Sequence, residues 1–166
     1  MFGLGSPSAK KLAGRIARQI VGFQSVMFRL SYEQLDIPKR DISKIEITYY
    51  SMSLVSLSVL FLSKYKNKLK AVEQAQLDVL KASLANSGSE LNLDAAISQY
   101  QTRFSQYKNV FDDLVNGDLR EPEMILATLF TNNVSQGKSA MPDYLAAHSI
   151  FAQGVNDNLD FAKNML

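Results

Sequence analysis

Cysteine and tryptophan are absent from this chain, and histidine occurs once. Without cysteine there is no disulfide, zinc–thiolate site, iron–sulfur cluster or thiol nucleophile. The lone His148 excludes a two-histidine zinc site within one chain. A ferritin-like di-iron bundle needs Glu-x-x-His on two helices, whereas position 145 is Leu and no second histidine exists. His148 could formally join a serine and a carboxylate, but there is no G-x-S-x-G nucleophile elbow. No metal or cofactor is implied, and no catalytic residues are assigned.

Acidic residues are also missing where basic ones collect. The first 32 positions hold five Lys/Arg and no Asp/Glu. Residues 1–70 carry twelve basic against four acidic residues, a balance of +8; residues 71–166 carry six against twelve, a balance of −6. The simpler expectation is that the two halves attract each other within one fold. The other is that a basic surface meets an anionic partner.

What is present is the pattern of a globular helical protein. At 166 residues, with 46% hydrophobic and 20% charged residues, the chain is expected to form a single domain over 1–166. Leu12, Ile16, Ile20, Phe23, Met27 and Leu30 recur at spacings of three and four and fall in a stripe roughly 80° wide. This predicts a helix over about 7–34, capped at Ser6-Pro7. "DIPKRD" (36–41) ends it through Pro38, with Asp36 or Asp41 able to cap the next helix.

Residues 47–63, "ITYYSMSLVSLSVLFLS", contain no charge but five serines, a threonine and two tyrosines. A membrane span needs about twenty predominantly apolar residues. The segment is therefore expected as a buried central helix near 45–63 of a soluble bundle, within a helix covering about 42–63. Leu69, Val72, Leu77, Leu80 and Leu84 extend a helical face to about 86, either in one long helix or with a kink near Ser63–Asn67. "NSGSELN" (86–92) then reads as a loop, with Gly88 after a helix end and Asn92 as the next cap.

Ile97, Tyr100, Phe104, Tyr107, Phe111 and Leu114 form a short heptad seam ended by Asn116-Gly117. Glu121-Pro122 opens a helix over about 122–131, and a final helix spans about 141–164. The expected fold class is all-α: a single-domain bundle of five or six helices.

"NNVSQGKSAM" (132–141) contains the Gly-Lys-Ser of a nucleotide-binding P-loop. That motif needs a preceding strand and a phosphate-facing helix. Here the first glycine position is Asn132, Pro122 starts the preceding segment as a helix, and Pro142 interrupts the following one. Nucleotide binding is not expected. Among the carboxylates, Glu121 and Glu123 complement a helix N-terminus, while Asp112 and Asp113 at a helix end call for local pairing, with Lys108 or Arg120, or for plain exposure.

Treated as helix, "KYKNKLK" (64–70) puts Lys64 and Lys68 on one ridge and Lys66 and Lys70 nearly opposite. The split weakens it as a nucleic-acid face, so nucleic acid is not favoured as a partner. The expected binding face is the basic side of the first helix: Lys10, Lys11, Arg15 and Arg18. The simpler expectation is that the apolar stripe packs into the bundle while these charges meet water; the other is that stripe and basic face together meet an anionic membrane surface. Val21 and Phe28, on the nominally polar side, suggest that protein encloses the second half of this helix.

The expected function is a non-enzymatic helical interaction or adaptor protein that binds a protein partner, a second copy of itself, or an anionic membrane surface through the first helix. The alternative is a bundle holding an apolar small molecule or lipid in a pocket lined by Tyr49, Tyr50, Tyr100, Phe104, Tyr107 and Phe111. The basic N-terminus runs into an amphipathic pattern rather than the continuous apolar stretch of a secretory signal. The expected location is cytoplasmic, with peripheral membrane attachment.

Overall fold

The computed structural model describes residues 8–35, 37, 39–87, 90–117, 121–135 and 144–165. These form six helices and, among the described residues, no strand: α1 (Ala9–Glu33), α2 (Asp41–Leu62), α3 (Lys68–Ser87), α4 (Leu93–Asn116), α5 (Pro122–Ser135) and α6 (Tyr144–Lys163).

The organising element is α2. Every residue from Ile45 to Val59 is buried, so this helix has no solvent face. A helix apolar on all sides must be covered on all sides, and α2 packs against each of the other five. By length and composition it is the one described helix able to cross a membrane; here its cover is protein. Its hydroxyls fit an apolar setting because several bond back to their own helix. Thr48 donates to the Lys44 carbonyl, Ser51 to Ile47 and Ser58 to Leu54, at 2.8–2.9 Å.

The chain reverses at both ends of α2. Gln24 Nε2 donates to Thr48 Oγ1 at 2.7 Å, levelling the second half of α1 with the first half of α2. Gln76 Nε2 donates to Ser56 Oγ at 2.9 Å, levelling the middle of α3 with the second half of α2. Both neighbours therefore run antiparallel to α2, lie side by side and begin at the end where α2 stops. In contrast, α6 runs with α2. Phe151 packs on Tyr50 with ring centroids 5.4 Å apart, and Ala162 and Met165 reach Leu62 and Tyr65.

Local signals account for most boundaries. Asn92 Oδ1 accepts from the Ala95 N–H at 2.8 Å, and Gly117 closes α4 at φ 75°, a left-handed conformation favoured by glycine. The long-helix alternative for 42–86 gives way to the break at Ser63–Asn67, where Lys68 Nζ donates to the Ser63 carbonyl at 2.8 Å. The cap of α1 is Ser8, accepting from Lys11 N–H, so the helix starts at Ala9 rather than at 7. Ser6, Pro7, Asp36, Pro38 and Gly88 lie outside the described residues. Asp41 sits in the first turn of α2, where it pairs with Lys44, and Arg40 is the cap residue. Continuing past 131, α5 reaches Ser135 and takes in Asn132–Val134 of the Gly-Lys-Ser segment. Met124–Phe130, the stretch that would have to be a P-loop strand, is helix; Gly137–Ser139 lie outside the described residues.

One buried ion pair ties α4 to α2. Glu46 is 2% exposed, and Arg103 clasps its carboxylate through Nε and Nη2 at 2.8–3.0 Å. Burial pushes the Glu46 carboxyl above its ordinary range, more than the Arg103 hydrogen bonds and charge pull it down. Elsewhere α6 reaches α1 through side chains. Gln19 donates to Asn158 Oδ1 at 3.1 Å, and the Phe23 ring occupies the space a side chain at Gly154 would need.

Two stability experiments follow from this packing. A Cβ at Gly154 would lie 3.0 Å from Phe23 Cζ, whereas one at Gly14 meets nothing within 4 Å. Gly154→Val is expected to cost about 1–3 kcal/mol by overpacking. Gly14→Ala, on the exposed side of α1, is expected to gain about 0.5–1 kcal/mol. Urea unfolding measures both, and equal effects would contradict the Phe23–Gly154 contact. The second experiment concerns Arg103→Met, which strands a buried carboxylate and is expected to cost about 3 kcal/mol at neutral pH. A carboxyl whose pKa is higher folded than unfolded binds more protons when folded. Its contribution to stability is full below the unfolded value and is lost as pH rises through the folded value. Losing Arg103 raises the folded value further, so the variant should regain stability relative to wild type as pH falls toward the ordinary carboxylate range. Adding Glu46→Gln should remove that pH dependence.

Candidate basic docking surface

The apolar stripe of α1 is spent on the core. Leu12, Ile16, Ile20, Phe23 and Met27 are all buried within the chain, so this stripe is not free to enter a membrane. The expectation that protein encloses Phe28 holds, since it packs against the core; Val21 remains 51% exposed. The residues assigned to the binding face point outward as a consequence of the stripe's burial. Lys10, Lys11 and Arg18 are exposed and Arg15 is half-buried.

The fold brings a second set of cations to the same end. Because α1 and α3 are parallel and both begin where α2 stops, Lys10 and Lys11 lie at the level of Lys70 and the turn before it, with Arg15 a little over one helical turn further along. Reading "KYKNKLK" as continuous helix divided its lysines between two faces. The chain instead turns there, and the ridge argument does not apply. Lys64, Lys66 and Lys70 are exposed, while Lys68 is half-buried and caps the α2 carboxyl end through Ser63. These lysines were set aside in the sequence because the spacing argument assumed a helix; the signal that could have kept them is the polar break Ser63–Asn67 itself.

Backbone dipoles do not create the positive potential. Three helix N-termini (α1, α3 and α5) and three C-termini (α2, α4 and α6) share this end, since Phe111 of α4 packs on Phe61 and Asn133 of α5 bonds back to Tyr107, and their partial charges of about half an elementary charge offset one another. The side chains make its α1–α3 flank basic, whereas Asp112 and Asp113 at the end of α4 and Glu121 and Glu123 at the start of α5 lie on the other flank. Among the described residues, the ion pairs are Lys44–Asp41, Arg103–Glu46, Lys108–Asp112 and Lys163–Asp160. None involves Lys10, Lys11, Arg15, Arg18, Lys64, Lys66 or Lys70. The pair that crosses between the two halves of the chain, Arg103–Glu46, runs against the overall charge split. Among the described residues, no ion pair joins a cation of the basic half to a carboxylate of the acidic half.

The six aromatic residues fall into three groups of ring contacts: Tyr49 with Tyr100 and Phe104, Tyr50 with Tyr107, and Phe111 with Phe61. Tyr50 contacts the rings of Phe23, Tyr107, Phe130 and Phe151 at centroid distances of 5.0–6.1 Å. Tyr49 and Tyr100 are 5.8 Å apart, as are Tyr100 and Phe104, and Phe111 packs on Phe61. Tyr100 also borders a groove of about 240 Å³ between α3 and α4, beside Gln76, Leu80 and Ile97. Tyr49 OH donates to the Ala96 carbonyl at 3.1 Å, and Tyr107 OH accepts from Asn133. Burial lifts all four tyrosine hydroxyls above their ordinary value, Tyr49 to about 12, with Glu46 adding to it there. Such phenols stay protonated at neutral pH.

His148 is half-buried on α6, and Lys108 pairs with Asp112 at 2.6 Å. Among the described residues no group of three His, Asp or Glu side chains converges. Comparison with known protein families, curated proteins and solved structures gave no match, so the functional reading rests on this geometry.

Proposed function

We propose that this protein is a non-enzymatic helical interaction module whose basic end docks on an anionic partner. The observation that carries the reading is that Lys10 and Lys11 share one end of the bundle with Lys64, Lys66 and Lys70, all without ion-pair partners among the described residues. A basic face that the fold does not use internally is available to an external anion. Each Lys or Arg held near an anionic lipid surface contributes about 1 kcal/mol, and the attraction fades within about 8–10 Å at ordinary salt. Several such residues acting together support reversible, salt-sensitive attachment.

The test uses an immobilised polyanion such as heparin. Wild type should be retained at low salt and released as ionic strength rises. Lys11→Glu/Lys64→Glu should elute at clearly lower salt than Lys39→Glu/Lys81→Glu, which makes the same charge change elsewhere. Equal shifts would mean that net charge, rather than the basic end, governs retention and would overturn the assignment.

A further inference from the structure

Resting on that reading of the basic end, we propose that its anionic partner is a phospholipid membrane, on which the bundle stands end-on with Leu69 entering the headgroup layer. Charge alone does not select among anions; the apolar groups set among the lysines do. Leu69 is 59% exposed, the most exposed of the described large hydrophobic residues, and lies between Lys68 and Lys70 at the start of α3. Phe61, 41% exposed, is at the same end of the bundle. Between them the turn carries a notch of about 150 Å³ whose lining includes Leu62, Tyr65, Ala162 and Met165, together with Lys64 and Lys163. Alternating lysines and apolar side chains at the tip of a bundle match the boundary between headgroups and acyl chains. There an ammonium meets phosphate while its aliphatic stem and a neighbouring leucine leave water.

A nucleic acid would use the lysines and gain little from the rest. Phosphate contacts need no exposed leucine, and base stacking needs an open aromatic face. The Phe61 ring is packed at 5.5 Å from Phe111 with Lys108 6.0 Å from its centroid, and Tyr65 is half-buried. The end-on orientation follows from the same residues, which sit where α1 and α3 begin and α2 and α6 end. The rest of α2 then remains inside its protein cover.

Because the chain has no tryptophan, Leu69→Trp supplies a single fluorophore at the contact. On phosphatidylserine-containing vesicles its emission should shift to the blue and be quenched by lipids brominated in their acyl chains. On pure phosphatidylcholine it should not change. Val26→Trp, at an exposed apolar position in the second half of α1 toward the opposite end of the bundle, should stay unshifted on both. Leu69→Ser should weaken binding to the anionic vesicles about tenfold while leaving heparin retention unchanged. Vesicle binding by Leu69→Trp without a shift in its emission would overturn leucine entry. Tighter binding of the wild-type chain to a single-stranded oligonucleotide than to the vesicles would assign the basic end to nucleic acid. Both outcomes leave the polyanion-docking reading intact, whereas no retention on heparin or on vesicles would remove that reading itself.

Discussion

Everything in this molecule is arranged around the need to cover α2. A helix with no charge from Ile47 to its end at Leu62 and no solvent face from Ile45 to Val59 cannot rest on one neighbour, so five helices surround it. Its serines and threonine do not oppose this, because back-bonding to the preceding turn satisfies several of them locally. The cost of enclosure falls on the surrounding helices, each of which must commit an apolar face to the interior. For α1 that commitment takes the whole stripe from Leu12 to Met27 and turns its basic residues toward solvent.

The same constraint places the basic end. Short connections on both sides of α2 make α1 and α3 its antiparallel neighbours, and two helices antiparallel to a third are parallel to each other. Their first turns therefore meet at one end, although some fifty residues of chain separate Lys11 from Lys64. The basic end is thus a product of topology as much as of composition. It would not exist if either connection were long enough to let α1 or α3 run the other way.

Much of the architecture was legible because its causes are local. Spacings of three and four marked the buried faces of α1 and α4, and Asn92 and Gly117 marked the limits of α4 by cap chemistry. The break at Ser63–Asn67 could be suspected, since a helix of some 45 residues is long for a globular domain. What escaped has causes at a distance. Nothing near Glu46 announces Arg103, 57 residues away, as the partner that lets a carboxylate sit in the core. Nor does helical spacing foresee that the chain turns within Lys64–Lys70. The membrane expectation for α1 shows the limit from the other side: an amphipathic stripe looks the same whether lipid or protein covers it. Here α2 and α3 claim it, and under the proposed membrane docking lipid would meet the tip of the bundle rather than the flank of α1.

The remaining question is why the basic residues are gathered at all. A bundle stabilised by the enclosure of α2 gains nothing from unpaired lysines crowded at one end. Like charges within a Debye length repel, and the opposing backbone dipoles neither require nor neutralise them. Exposed Leu69 is no better explained by folding, because its side chain contributes little to the core while facing water. Surface features that bring the fold no stability are the ones to examine for function. In this chain two of them, the uncompensated cations and the exposed leucine, occur in the same few residues. Their coincidence at the end of α2 is what an anionic, partly apolar partner would require, and the internal packing supplies no competing reason for it.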